Sequence, residues 1–152
     1  MNVESVLFGS ILAISPANLW MVGGVAALTA IILGVTWSRM AYATFGPDLA
    51  RLSGVPVALL DYLLLGLTAV IIVVSVKTVG VVLVSSFIVI PAATARMLGR
   101  TLSGVAVWAF GIGVGAAALG LFLSYHLNVA SGATIILTLG VVFGAVLLIK
   151  SR

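Results

Sequence analysis

Apolar residues run in long blocks along this chain, and charges punctuate them one at a time. No charge falls between Glu4 and Arg39, and none between Arg100 and Lys150. About 20 apolar residues cross a bilayer core, so the first gap holds one span and the second holds two. The pattern predicts five spans, at about Asn18–Ser38, Val57–Lys77, Val79–Leu98, Leu102–His126 and Ser131–Lys150. Ser15-Pro16-Ala17-Asn18 suits a helix start, with Pro near the first helical position and Asn as a cap. Lys77–Gly80 predicts a tight reversal. The apolar stretch Ser5–Ile14 is too short to cross at about 1.5 Å per residue. It reads as the tail of an earlier helix or as an interfacial segment. The expected fold is therefore all-α, a polytopic integral membrane helical bundle forming one transmembrane domain over 1–152.

Composition fixes the solvent. Hydrophobic residues make up 63% of the chain and charged residues 7%. Soluble domains carry about 25% charged residues, so the surface of this chain must meet lipid or other apolar helices. The net charge of +4 does not point to nucleic acid, because the basic residues form no stripe or patch. They follow the positive-inside rule instead. Arg39, Arg51, Arg96, Arg100, Lys150 and Arg152 fall on one side of the five spans, and Lys77 on the other. That side is expected to be cytoplasmic, in a multi-pass protein of the cell membrane with a cytoplasmic C-terminus. The absence of cysteine excludes disulfides and thiolate metal sites. The start, MNVESVLFGS, lacks a basic region, so no cleavable signal peptide is expected.

Glycine is patterned. Gly111/Gly115 and Gly140/Gly144 are G-xxx-G pairs, and Ala116/Gly120 repeats the spacing. Small residues four apart share a helix face and let backbones approach where lipid supplies no hydrophobic drive. Spans four and five are expected to pack on neighbours through these faces.

The loop 39–56 is the longest polar segment. Within it, Phe45-Gly46-Pro47-Asp48 signals a turn, and with Leu49 to Ser53 reads as a short helix, Pro47 and Asp48 in its first turn, Gly54 at its end and Pro56 stopping it. Leu49 and Leu52 share one face. This element reads either as a helix lying on the membrane surface or as one that docks into a soluble partner. Asp61, about one turn inside span two, is a partner for Arg39 or Arg51, part of a cation exit, or a carboxylate favoured by the helix dipole. Lys77 snorkels or lines a path. Pro91 removes a backbone bond inside span three and should kink or break it. Ala92, Ala93, Thr94 and Ala95 beyond it offer a small-residue contact surface. His126 is the one histidine and a weak candidate metal ligand.

Four segments together resemble the membrane subunits of zinc/manganese/iron-type ABC importers. FGPDLARLSGVPV (Phe45–Val57) is similar to the family pattern F-D-P-E-x-A-R-x-x-G-x-P. VSVKTVGVVLVSSFIVIPAATARML resembles the family's V-G … L-V-I-P-A-A-T-A segment. SYHLNVASGAT (Ser124–Thr134) and LFGSIL (Leu7–Leu12) match two further family segments, in family order and spacing. Gly46 departs from the usual Asp, and Asn128 and Ala130 from Asp and Pro. Family members are roughly twice as long, and the match is to their C-terminal half. The resemblance implies a homodimeric pore, or a pore completed by the N-terminal half of the permease. It implies an ABC ATPase subunit docking on Phe45, Asp48, Leu49, Arg51, Leu52 and Gly54, and an extracytoplasmic metal-binding protein delivering the ion. Asp61, Lys77, Pro91, Thr94 and His126 are its translocation-path or gate candidates. The cargo is a divalent metal ion such as zinc or manganese, and no cofactor is expected on the chain. There is no G-x-x-x-x-G-K-[ST] phosphate loop, so ATP hydrolysis is expected in the partner. Two other readings stand beside this one: a truncated remnant that transports nothing, and a small stand-alone membrane transporter or structural protein.

Overall fold

The computed structural model describes residues 16–150. Ser5–Ile14, the LFGSIL segment and Arg152 lie outside the described residues. The described chain forms six helices: α1 (Pro16–Phe45), α2 (Pro47–Leu52), α3 (Val57–Val79), α4 (Val81–Leu98), α5 (Leu102–Leu127) and α6 (Ser131–Lys150). Among the described residues there is no strand. All but α2 are long and apolar enough to cross a membrane. In lipid every backbone polar group needs an internal partner, and the helix supplies it within the segment.

The helix ends follow local chemistry. α1 begins at Pro16, which puts Asn18 inside the helix and not at its cap. It also runs seven residues past Ser38, through Arg39 to Phe45. The polar loop expected from Arg39 onward therefore begins as helix. Met40-Ala-Tyr-Ala-Thr contains no breaker, and only Gly46-Pro47 stops the run. Gly80, at φ +88°, is the single residue between α3 and α4. Thr101 caps α5, its hydroxyl accepting the Gly104 N–H at 3.1 Å. α5 ends on Asn128 in the left-handed region at φ 51°.

Pro91 does not break α4, which is continuous from Val81 to Leu98. Proline removes one N–H, so the Phe87 carbonyl loses its i+4 donor, but the bonds on either side hold the helix. Pro91, Thr94 and Ala95 are buried. The Thr94 hydroxyl, fully buried, donates to the Ile90 carbonyl at 2.7 Å.

The described chain divides into two compact units, 16–75 and 76–150, with the boundary inside α3. In 76–150, α4, α5 and α6 pack on one another around Leu83, Ala116, Ile135 and Leu139. The small residues of α5 decide this packing. Gly113, Ala116 and Gly120 form its buried stripe, and a Cβ at Gly120 would stand 2.7 Å from the Ile135 Cα. By contrast, a Cβ at Gly111, Gly115, Gly140 or Gly144 would meet nothing within 4 Å. The helices thus join through Ala116/Gly120 and not through the two G-xxx-G pairs. Spacing alone cannot separate these faces, because all three motifs repeat every fourth residue. At the far end, the Lys150 ammonium donates to the Met97 carbonyl, closing the C-terminal ends of α4 and α6. In unit 16–75, the buried residues are few: Thr29, Met40, Ala50, Val57 and Leu60.

Candidate functional site

The short helix α2 is a well-terminated element. Its backbone starts from Gly46, with proline in the first turn, Asp48 acidic in that turn and Arg51 basic in the last. Both charges suit the helix dipole. Its end carries a double reversal. The Gly54 N–H donates to the Arg51 carbonyl at 3.1 Å, and the Val55 N–H to the Ala50 carbonyl at 2.9 Å. This is the Schellman pattern, which needs a left-handed residue after the cap. Gly54, at φ +76°, supplies it. Six residues would not hold as an isolated helix; the terminal bonds and the full burial of Ala50 hold this one.

The outward side of α2 is apolar. Leu49 is 61% exposed, Leu52 85%, and Phe45 just before it 77%. Exposed leucines on a spanning helix meet lipid and need no explanation. Here they stand among Arg39, Asp48 and Arg51, all exposed. Charges at this density mark the headgroup level or water beyond it. Apolar side chains at that level suit either a helix lying on the membrane surface or one covered by a partner.

Neighbouring polar groups bind α2 to α1. The Gly46 N–H donates to the Tyr42 carbonyl at 3.1 Å. The Tyr42 hydroxyl lies 3.4 Å from Ser53 Oγ, and Ser53 Oγ donates to the Leu49 carbonyl at 2.8 Å. Neither Tyr42 nor Ser53 stands out in the sequence. They are eleven residues apart across a helix break, and no local pattern links them.

The other candidates are scattered. Asp61 is exposed, the fifth residue of α3. It lines a small cavity of about 50 Å³ with Met40, Ala43, Thr44, Leu60 and Leu64. Neither Arg39 nor Arg51 lines it, and the Thr44 hydroxyl donates instead to the Met40 carbonyl. Lys77 is exposed in the last turn of α3, where a cation suits the dipole. Pro91 lies in a second, apolar cavity of about 330 Å³ with Phe87, Ala92, Phe110 and Gly113. His126 is exposed at the end of α5, its ring 4.4 Å from that of Phe122 and Nδ1 3.1 Å from the Phe122 carbonyl. With Nδ1 donating, Nε2 is the ring nitrogen with a lone pair to offer. Among the described residues no three His, Cys, Asp or Glu side chains gather to hold a metal ion. Of the candidate residues, Phe45, Leu49 and Leu52 are the ones brought together, at α2.

A charge-poor set of five helices long and apolar enough to cross a membrane, with a short helix at the end of the first, defines a multi-pass helical membrane protein. The signature of the ABC 3 transport family matches residues 1–150, and the chain belongs to that family. It is 33% identical over 138 residues to the manganese import system permease protein ScaB of Streptococcus gordonii, covering 91% of this chain and 50% of that protein. It is 35% identical over 138 residues to the manganese transport system membrane protein MntC of Halalkalibacterium halodurans, covering 91% and 47%. Among solved structures it resembles PsaBC from Streptococcus pneumoniae in complex with Fab. That match has a TM-score of 0.86 and 30% identity over 95% of this chain and 52% of that one. The chain spans about half the length of the relatives it matches.

Proposed function

We propose that this chain is part of the membrane permease of an ABC importer for divalent metal ions, with manganese the first ion to test. The permease is completed by a second copy or by a further membrane segment. A separate ATPase docks on α2, and an extracytoplasmic metal-binding protein delivers the ion. In this reading α2 and the C-terminus face the cytoplasm. The carrying observation is the exposed apolar side of α2, formed by Phe45, Leu49 and Leu52, at a level marked by Arg39, Asp48 and Arg51. Family membership and the manganese permeases among its relatives support the choice of cargo. The chain's own contribution is mechanical: α2 receives the motion of the ATPase and passes it into α1. Asp61, Lys77, Pro91, Thr94 and His126 remain proposed path residues.

Leu49→Asp tests the docking. A charge placed in an apolar pocket typically weakens a docked contact by about 2 kcal/mol or more. That energy weakens the affinity about thirtyfold, so the ATPase should be recovered with mutant membranes at about a tenth or less of the wild-type amount. The mutant should insert normally, because no span is altered. Equal recovery with both would reduce α2 to a surface helix.

A further inference from the structure

Tyr42 holds both ends of α2. Its main-chain carbonyl takes the Gly46 N–H at the start of the helix. Its side chain reaches Ser53 at the other end. The direction of that second bond can be assigned. Ser53 Oγ has one proton, and it goes to the Leu49 carbonyl at 2.8 Å. Tyr42 must therefore donate, and Ser53 accept, at 3.4 Å. The result is a chain of hydroxyls from the last turn of α1, through the cap of α2, to the carbonyl of Leu49. The Leu49 carbonyl also accepts the Ser53 N–H at 3.0 Å. Burial of Ala50 and the backbone bonds at its ends hold α2 in place. The Tyr42–Ser53 contact adds a direct side-chain tie from α1 to its far end.

We propose that Tyr42 is a positioning residue that latches the coupling helix to α1 through Ser53, so that the two helices move as one body when the ATPase pulls. This rests on the docking reading above and adds to it the means of transmission. Docking itself needs only the exposed apolar side chains. Transmission needs the latch.

Tyr42→Phe keeps the ring and removes the donor. Ser53→Ala removes the acceptor, and Ser53→Thr keeps it. Each is made in the assembled permease with its ATPase, reconstituted into vesicles, with manganese as the transported ion. Two readouts are taken. Amide hydrogen exchange at Ser53–Val55 reports the latch, and ions moved per ATP hydrolysed reports transmission. Loss of one intramolecular hydrogen bond shifts a local equilibrium by about three- to tenfold. Exchange at Ser53–Val55 should rise by that factor in Tyr42→Phe and Ser53→Ala. Ions moved per ATP should fall severalfold in both, while ATPase recovery stays within about twofold of wild type. The double variant should be no worse than either single one, as expected when two residues share one bond. Ser53→Thr should restore both readouts. Unchanged exchange in Tyr42→Phe would show that there is no latch. Raised exchange with unchanged ions per ATP would show a latch without a role in transmission. An effect of Ser53→Ala without one of Tyr42→Phe would reduce Ser53 to a cap of α2. Failure of the docking reading appears elsewhere, as full ATPase recovery with Leu49→Asp.

Discussion

Helices α4, α5 and α6 bury 28%, 17% and 22% of their most apolar stretches, whereas α1 and α3 bury 6% and 11%. The two groups are alike in length and apolarity, so apolarity is not what separates them. In water an apolar helix must find a partner. In lipid it need not, because acyl chains solvate leucine as well as another helix does. What joins α5 to α6 is contact at short range: Gly120 lets the Ile135 backbone approach, and Leu139 fills the space beside it. α1 and α3 expose large side chains such as Val35 and Leu65 and have no comparable seam in 16–75.

The comparison can be tested by substitution. Leu139→Ala removes a fully buried side chain from the centre of α4–α6. The loss should be about 2–3 kcal/mol, the low end for a buried leucine, because lipid removes much of the water-transfer share. Denaturant titration in micelles measures it, and Leu137→Ala, on the exposed side of the same helix, is the control. An equal loss at both positions would break the distinction between seam and lipid face. Gly120→Ala comes next. Its Cβ would fall against backbone, so α5 and α6 must separate, and overpacking of this kind costs about 1–3 kcal/mol. Gly115→Ala, with open space around its Cβ, should be neutral in the same titration. The smallest effect is expected in 16–75. Val35→Ala, at a position 81% exposed, should change stability by less than about 0.5 kcal/mol. A larger loss would reveal a contact that α1 already makes.

Much of the fold was legible because charges are so few. Each charge-free run had one physical solution, a helix, and the turn at Lys77–Gly80 and the cap at Gly54 carried their own signals. The end of α1 was not legible, since Arg39 looks like the start of a loop when polarity alone is read. Its helix persists because arginine, methionine and alanine all favour helix: the charge marks polarity, not a helix end. No break follows Pro91 for a related reason: the missing N–H is a local loss, and α4 runs on through it. The choice among three small-residue motifs was hidden, because a fourfold repeat fixes a face but not its neighbour. At the candidate site the leucines and the glycine stop could be named from sequence. Tyr42 could not, because its partner lies eleven residues on, beyond the helix break at Gly46.

The threonines of α1 carry a consequence for biosynthesis. Thr29, Thr36 and Thr44 each donate to the carbonyl four residues back, at 2.7 to 2.8 Å. In α3, Thr68 does the same at 2.7 Å. A hydroxyl satisfied within its own turn puts no unpaired donor into hydrocarbon. These four hydroxyls therefore enter the membrane already satisfied and require no polar partner from another helix.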